Sequence, residues 1–148
     1  MKISIGCDHA AYKEKKILSN YIETKLGFSI IDCGTKSTTS VNYPEFGHKV
    51  GYNVKNNISE MGIVLCGSGI GISISANKIK GIRAALCTTV EHAIMSRKHN
   101  DANVLAMGSR FTSLDEMKKI TKNWLNTDFE GGRHQLRIDQ IEKIWLIM

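Results

Sequence analysis

The sequence of 148 residues contains a single proline and has no internal repeat, linker or low-complexity tract. With 13 glycines, 42% apolar and 23% charged residues, the composition is that of an ordinary globular protein, which argues against disorder and against a repetitive fibre. A chain of this length can bury roughly two thirds of its unfolded surface as one unit. We therefore expect a single domain over residues 1–148.

Long apolar runs are also absent. The most apolar stretch, residues 61–76, is interrupted by glycines and serines, and it is shorter than the ~20 residues of a membrane-spanning helix. The first residues, Met1 to Gly6, lack the apolar core and the small-residue cleavage site of a signal peptide. We therefore expect a soluble protein that has neither a signal peptide nor a membrane partner.

No two of the four cysteines, Cys7, Cys33, Cys66 and Cys87, have the Cys-x-x-Cys spacing of a zinc or redox motif. This pattern favours reduced thiols and a cytoplasmic protein over a disulfide framework, and it predicts no metal site. The formal net charge is +6, but the lysines are scattered rather than clustered with aromatic residues. That distribution favours a solvated basic surface and predicts no nucleic-acid partner.

Short apolar segments alternate with segments of helical periodicity along the chain. The predicted strands cover residues 3–7, 28–33, 63–66, 82–87 and 103–107. The predicted helices cover residues 12–26, 44–57, 70–78, a segment around 92–95, 114–125 and 134–145. This order predicts an α/β fold, a three-layer α/β/α doubly wound domain with a five-stranded parallel sheet and an extra C-terminal helix. Functional residues of such sheets lie beyond the carboxyl ends of the strands.

The turn after the predicted third strand reads Cys66-Gly67-Ser68-Gly69-Ile70-Gly71 and leads into a helix. Backbone N–H groups in such a turn can converge on an anion, and the helix dipole strengthens the attraction. Isoleucine stands at position 72, where a dinucleotide fingerprint has glycine, and the Lys-Ser/Thr pair of a P-loop is missing. A tight turn that needs glycine only for steric reasons is the alternative.

Cys66 differs from the other three cysteines because alternate glycines follow it at the end of a buried strand. A thiol beside amide donors and a helix N-terminus is stabilised as a thiolate, which can act as a base or a nucleophile. The alternative is a small buried apolar residue, which is the commoner role of a free cysteine. The turn after it makes Cys66 the candidate for chemistry.

Polar residues mark the ends of two further strands. Asp8 and His9 follow the first strand, where Asp8 could serve only as a helix N-cap. His99 and Asn100 precede the fifth strand, and Arg110 follows it. These residues are candidates for contacts with a polar ligand.

Two arginines open the predicted last helix. Arg133 and Arg137 are four residues apart and therefore project from the same helix face. Two guanidinium groups in that arrangement can grip a phosphate dianion, and a solvated basic face is the alternative.

Six segments together resemble the ribose-5-phosphate isomerase B family, and they follow one another in order over nearly the whole chain. They are Gly6–His9, Asn42–Pro44, Cys66–Lys78, Gly81–Ala84, Ser96–Leu105 and Glu130–His134. Ser68 stands where many members of that family have threonine, a difference that keeps the hydroxyl group and removes a methyl group.

The resemblance implies an aldose-ketose isomerase of the pentose phosphate pathway that interconverts ribose 5-phosphate and ribulose 5-phosphate through a cis-enediol, without metal or cofactor. It implies that Cys66 is the base, that His99 assists opening of the furanose ring, and that Ser68 and the turn amides stabilise the enediolate. The substrate-binding residues that it implies are Asp8, His9, Tyr43, Gly67, Gly69, Ile70, Gly71, Asn100, Arg110, Arg133 and Arg137.

The same resemblance implies a homodimer, which can pair further into a tetramer, with active sites that draw residues from two subunits. A six-carbon substrate, such as allose 6-phosphate or galactose 6-phosphate, is an alternative within the same reaction class. A nucleotide-binding signalling module is a more distant alternative, because doubly wound domains also bind nucleotides. His134 stays open between a phosphate contact and a helix cap.

Overall fold

The computed structural model describes residues 1–147 and contains one parallel sheet of five strands. The strands are β1 (Lys2–Cys7), β2 (Ser29–Asp32), β3 (Met61–Cys66), β4 (Ala84–Leu86) and β5 (Val104–Gly108). Their order across the sheet is β2-β1-β3-β5-β4, and each neighbouring pair is parallel. The predicted five-stranded parallel sheet is confirmed.

Helices cover both faces of this sheet. They are α1 (Tyr12–Tyr21, continued by a wider turn at Ile22–Leu26), α2 (Tyr43–Lys55), α3 (Ile70–Asn77), α4 (Val90–Asn100), α5 (Leu114–Leu125), α6 (Arg133–Glu142) and α7 (Ile144–Ile147). One apolar core joins the sheet to α1, α4 and α5, and a second core joins it to α2 and α3. The predicted three-layer architecture is confirmed, with α6 as the extra helix near the C-terminus.

The alternation of side chains along β3 assigns each residue to one of the two cores. Ile63 and Leu65 belong to the core of α1, α4 and α5, whereas Val64 and Cys66 belong to the core of α2 and α3. Such a strand is apolar on both sides, because both faces of a parallel sheet are covered. The Cys66 side chain therefore faces α2 and α3.

Most element ends follow local signals and lie within two residues of the predicted positions. Gly27, in the left-handed conformation at φ 76°, ends the first helical segment, and the Ser113 hydroxyl caps α5 by accepting from the Glu116 N–H at 3.2 Å. The fourth strand is shorter than predicted, because the Arg83 N–H donates to the Asn103 side chain instead of the sheet. The last predicted helix is divided into α6 and α7 at Lys143.

The strands give the sheet two ends. At the carboxyl end, Cys66 lies beside Gly108 in the register of β3 and β5. At the amino end, β5 begins just after α4, and Arg83, which precedes β4, donates to the Asn100 carbonyl at 3.0 Å. The five residues of β5 separate the two ends by roughly 16 Å. Among residues 1–147, no helix combines the length and the apolar character that crossing a bilayer requires.

Candidate active site

The glycine-rich turn between β3 and α3 places a backbone donor on the Cys66 sulfur. Cys66 is 4% exposed, and its Sγ accepts a hydrogen bond from the Gly69 N–H at 3.1 Å. The Ser68 hydroxyl oxygen accepts from the Ile70 N–H at 3.1 Å. An amide that donates to sulfur at the start of a helix stabilises negative charge there, so the geometry suits a thiolate.

The same turn is joined to the segment that follows β5. The Ser109 N–H donates to the Cys66 carbonyl at 2.9 Å, and the Arg110 N–H donates to the Gly67 carbonyl at the same distance. The hydrogen-bond ladder between β3 and β5 therefore continues past the last strand residues. These two bonds fix the position of Arg110 relative to the turn.

Two glycines of the turn are required by their surroundings. Gly69 has a φ of 79°, and a Cβ on it would lie 2.7 Å from the backbone of Met107. A Cβ on Gly71 would lie 2.7 Å from the Tyr43 hydroxyl oxygen, because the Tyr43 ring rests directly on this glycine. The steric interpretation of the turn is thus correct for these two positions, and it also explains how Tyr43 of α2 reaches the turn.

Asp8 and His9, at the carboxyl end of β1, fix the neighbouring wall. Asp8 is buried, and its Oδ1 accepts from the Ala10 N–H at 3.0 Å, which is the N-cap contact considered from the sequence. The His9 Nδ1 accepts from the Val41 N–H at 3.1 Å and ties the segment before α2 to the end of β1. Since Nδ1 accepts, the neutral His9 ring carries its proton on Nε2.

These elements enclose an open pocket of about 570 Å³ at the carboxyl end of the sheet. Its lining residues are Asp8, Tyr43, Cys66, Gly67, Ser68, Ile70, Gly71, Ile74, Arg110 and Phe111. The pocket brings together the thiol, a carboxylate, a phenol and a guanidinium group, with Arg110 lying over Gly67. Eight of the residues predicted for the site line it, and His9 and Gly69 support it from behind.

The other three cysteines have different surroundings. Burial raises the pKa of the Cys7 and Cys87 thiols from 9.0 to about 11, and burial also raises the pKa of Cys33. These thiols are therefore held in the neutral form near neutral pH. Cys7 and Cys87 fit the role of small buried apolar residues that is common for free cysteines, and Cys33 is half-buried.

The remaining predicted residues lie at the amino end of the sheet, away from this pocket. His99 and Asn100 form the last turn of α4, and Arg133 and Arg137 are exposed on α6. α6 is attached to α4 there, since the Glu130 N–H donates to the Lys98 carbonyl at 3.1 Å. Within one chain, the structure does not bring these four residues to Cys66.

Three side chains at the amino end have the composition of a metal site. One donor atom each from His99, Glu130 and His134 lie within 4.8 Å of one another. However, the two imidazole rings are stacked, with centroids 4.2 Å apart and planes 16° apart. The in-plane lone pairs of stacked rings run side by side rather than toward one point, so this arrangement does not present a tetrahedral metal site.

Two residues that line the pocket were missed from the sequence. Ile74 follows Ile70 by one helical turn, and both are 54% exposed, so an apolar pair on an exposed helix face was the available signal. Phe111 is 77% exposed beside Arg110, and nothing in the local sequence pattern indicates it.

Comparison with known proteins identifies the family. The sequence profile described as Ribose/Galactose Isomerase matches residues 3–141. The chain belongs to this family. Within the ribose/galactose isomerase family, ribose-5-phosphate isomerase B of Escherichia coli (strain K12) is 44% identical over 144 residues, which cover 97% of this chain and 95% of that protein.

Solved structures of ribose/galactose isomerases match both the fold and the length. Ribose-5-phosphate isomerase B from Clostridium thermocellum has a TM-score of 0.97 and 48% identity, and the match covers 99% of each chain. The Mycoplasma genitalium enzyme, crystallised with bound ribulose-5-phosphate, has a TM-score of 0.94 and 40% identity over 99% of this chain and 97% of that one. The family resemblance inferred from the sequence is confirmed.

Proposed function

We propose that this ribose/galactose isomerase interconverts D-ribose 5-phosphate and D-ribulose 5-phosphate, a step of the non-oxidative pentose phosphate pathway. The supporting observation is the Cys66 thiol at an open pocket, with an amide donor on its sulfur and Arg110 in the same pocket. Full-length relatives are ribose-5-phosphate isomerases B, and one of them holds ribulose-5-phosphate. An aldose-ketose isomerase needs one base and support for an enediolate, and this pocket offers both.

The proposed reaction moves one proton between two adjacent carbons. The Cys66 thiolate takes the proton from C2 of the open-chain aldose while O1 gains a proton, which gives the cis-enediol. The thiol then returns its proton to C1 while O2 loses a proton, which gives the 2-ketose. The Gly71 N–H, in the first turn of α3, has no intrahelical acceptor, and with the Ser68 hydroxyl it can donate to the negative charge on the enediolate oxygens.

Substrate contacts are assigned by chemistry. Asp8 and Tyr43 offer hydrogen-bonding groups for sugar hydroxyls, and His9 supports them through its contact with the backbone of Val41. Arg110 provides a cation for the phosphate at the far side of the turn. Gly67, Ile70 and Gly71 line the pocket, and the Gly69 N–H, behind the lining, donates to the Cys66 sulfur.

We further infer a homodimer whose sites combine two copies of the chain. Cys66 and His99 lie at opposite ends of a sheet whose strand β5 spans roughly 16 Å, too far for both to touch one sugar within one chain. A second copy that docks its amino end on the pocket would supply His99 to open the furanose ring. It would also supply Asn100 and the phosphate-binding pair Arg133 and Arg137.

The rim of the pocket supports this docking. Ile70, Ile74 and Phe111 are more than half exposed around a polar site. Exposed apolar side chains that cluster beside a pocket are typical of a surface that becomes covered on assembly. A second copy of the chain is the partner that also completes the set of charged groups.

A cytoplasmic location follows from the same proposal. Cys7, Cys33, Cys66 and Cys87 are all free thiols. A base that works as a thiolate must stay reduced, and oxidising compartments convert accessible thiolates to disulfides or sulfenic acids. We therefore infer that the enzyme works in a reducing compartment, the cytoplasm.

A six-carbon sugar phosphate is the second candidate substrate, because the family profile includes galactose isomerases. The reaction and the roles of the residues would be the same. Comparing kcat/KM for ribose 5-phosphate, allose 6-phosphate and galactose 6-phosphate distinguishes the two. A higher kcat/KM on a six-carbon substrate would favour this second candidate.

The test of the proposed function is Cys66→Ala, because it removes the base and leaves the turn in place. We expect kcat for ribose 5-phosphate to fall at least about 1000-fold, while the variant still binds the sugar phosphate in calorimetry. Cys33→Ala, which removes a half-buried thiol that does not line the pocket, is the matched control. A kcat for Cys66→Ala within about threefold of the parent value would contradict the assignment of Cys66 as the base.

A further inference from the structure

His134 is a buried imidazole on an otherwise exposed part of α6. It is 5% exposed, whereas its neighbours Arg133 and Gln135 are exposed to solvent. Ile138, one helical turn later, is the other buried side chain of this helix. An apolar residue at position 134 would anchor the helix equally well without the cost of burying ring nitrogens. The imidazole therefore indicates a role for His134 beyond packing.

The contact that His134 makes is with the last turn of α4. Its ring stacks on the ring of His99, with centroids 4.2 Å apart and an angle of 16° between the planes. The Glu130 carboxylate lies 3.6 Å from the His134 Nε2, and the Glu130 N–H is bonded to the Lys98 carbonyl. The segment before α6 therefore contacts one side of His134, and the opposite side of the His134 ring covers one face of the His99 ring.

The charges around the pair favour a neutral His134. Burial lowers the pKa of His134, and the nearby His99, Arg133 and Arg137 lower it further, whereas Glu130 acts in the opposite direction. The Glu130 carboxylate is also shared with the Lys98 ammonium group at 3.9 Å. A neutral ring can stack on His99 in either of the protonation states that His99 takes during a proton transfer.

We propose that His134 is a positioning residue for His99, holding the His99 imidazole by ring stacking in the orientation that opening of the furanose ring requires. The inference rests on the proposed function, in which His99 of one copy serves the pocket of the other. It adds a residue that acts on the reaction only through its neighbour. The stacked pair then presents one imidazole to the sugar and uses the second as its support.

The ring-opening step makes orientation important. In this step the bond between C1 and the ring oxygen O4 breaks, the hydroxyl on C1 loses its proton, and O4 gains a proton. The products are the C1 aldehyde and the C4 hydroxyl group. A displacement of about 1 Å in a group that transfers protons can cost about 100-fold in rate, so a His99 ring free to rotate would be a poor catalyst.

The test separates ring opening from proton transfer at carbon. Ribulose 5-phosphate stays open-chain, because its phosphate occupies the oxygen that would close a five-membered ring onto C2. Exchange of its C1 proton in deuterated water therefore needs Cys66 but no ring opening. For His134→Leu we expect turnover of ribose 5-phosphate to fall about 10- to 100-fold, with deuterium incorporation into ribulose 5-phosphate within about threefold of the parent.

A conservative variant and a matched control complete the design. His134→Phe keeps a flat ring on His99, so we expect it to restore most of the turnover that His134→Leu loses. His92→Leu removes an exposed imidazole from the same helix α4 and should leave both rates unchanged. Circular dichroism and size-exclusion chromatography of each variant confirm that the fold and the assembly are intact.

Three outcomes would overturn the inference: unchanged turnover in His134→Leu, equal loss of turnover and exchange, or a His134→Phe variant no better than His134→Leu. A failure of the proposed function gives a different result, because the parent protein itself would then show neither turnover of ribose 5-phosphate nor exchange. The two failures are therefore distinguishable in one set of assays.

Discussion

At the scale of single residues, the contact between Tyr43 and Gly71 controls one wall of the pocket. The Tyr43 ring occupies the space that a side chain at position 71 would need. We expect Gly71→Ala to push the ring away and to raise KM for ribose 5-phosphate about tenfold. The free energy of unfolding should change little, because the Tyr43 ring is 40% exposed and can move aside.

Steady-state kinetics and a double-mutant cycle check this prediction. In a Tyr43→Ala background there is no ring to displace, so adding Gly71→Ala should change KM by less than about twofold. An equal effect of Gly71→Ala in both backgrounds would mean that the substitution acts by another route.

A second residue-scale prediction concerns the buried thiol of Cys87. Its pKa is raised by burial from 9.0 to about 11. The unfolded chain thus loses this proton near pH 9, while the folded chain keeps it. The contribution of the protonated thiol to the free energy of unfolding is therefore fully present below pH 9 and is lost as pH rises toward 11. The loss is about 2 kcal/mol for the thiol.

Urea unfolding at pH 8.5 and pH 10.5 measures the effect. The parent should lose more of its free energy of unfolding over this interval than Cys87→Ala, which lacks the titrating group. Identical pH slopes for parent and variant would show that the folded state does not hold the proton.

At the scale of elements, α4 depends on the cap at its first turn. The Thr89 hydroxyl oxygen accepts from the His92 N–H at 3.1 Å. We expect Thr89→Ala to lower the free energy of unfolding by about 1 kcal/mol. Since the cap lies at the opposite end of the helix from His99, kcat of the folded enzyme should stay the same.

Chemical denaturation of two neighbouring variants checks the cap. Thr88 is exposed and makes only a 3.4 Å contact with the His92 ring, so Thr88→Ala should cost less than about 0.5 kcal/mol. Similar losses for Thr88→Ala and Thr89→Ala would rule out a specific cap.

The elements were predictable from the sequence wherever their signals are local. The apolar run at residues 63–66, the left-handed Gly27 and the Ser113 cap each act within a few residues, and the helix end predicted at residue 26 and the helix start predicted at residue 114 are confirmed. The shortened β4 was not predictable, because its start depends on a bond between Arg83 and Asn103, 20 residues apart. Long-range bonds of this kind carry no periodic signal.

The position of a site residue before or after its strand indicates the end of the sheet at which the residue lies. Cys66 ends β3, Arg110 follows β5, and both line the pocket, whereas His99 precedes β5 and lies at the opposite end of the sheet. The separation was thus implied by the order of the elements. The approach of Tyr43 to the turn was not, because it depends on how α2 packs against α3.

At the scale of the whole molecule, the proposed shared site predicts complementation. Cys66→Ala and His99→Asn chains should each be nearly inactive alone. In a mixed dimer, one of the two sites receives an intact Cys66 and an intact His99. Random pairing of equal amounts should therefore restore about a quarter of the parent activity, measured after the two chains are refolded together.

The double variant Cys66→Ala/His99→Asn is the control for this experiment. In a dimer of this double variant with the parent chain, one site lacks Cys66 and the other site lacks His99, so such dimers should be inactive. Absence of activity in the mixture of single variants would contradict a site shared between two copies.

The bonds from Ser109 to Cys66 and from Arg110 to Gly67 make the catalytic turn an extension of the sheet. In many enzymes the active-site loops open locally at a small fraction of the global unfolding free energy. Here the turn opens only when β3 and β5, both interior strands, separate. The amide protons of Ser109 and Arg110, which donate these two bonds, should therefore exchange with solvent as slowly as those of the central strands, and denaturant should remove activity and fold in a single cooperative transition.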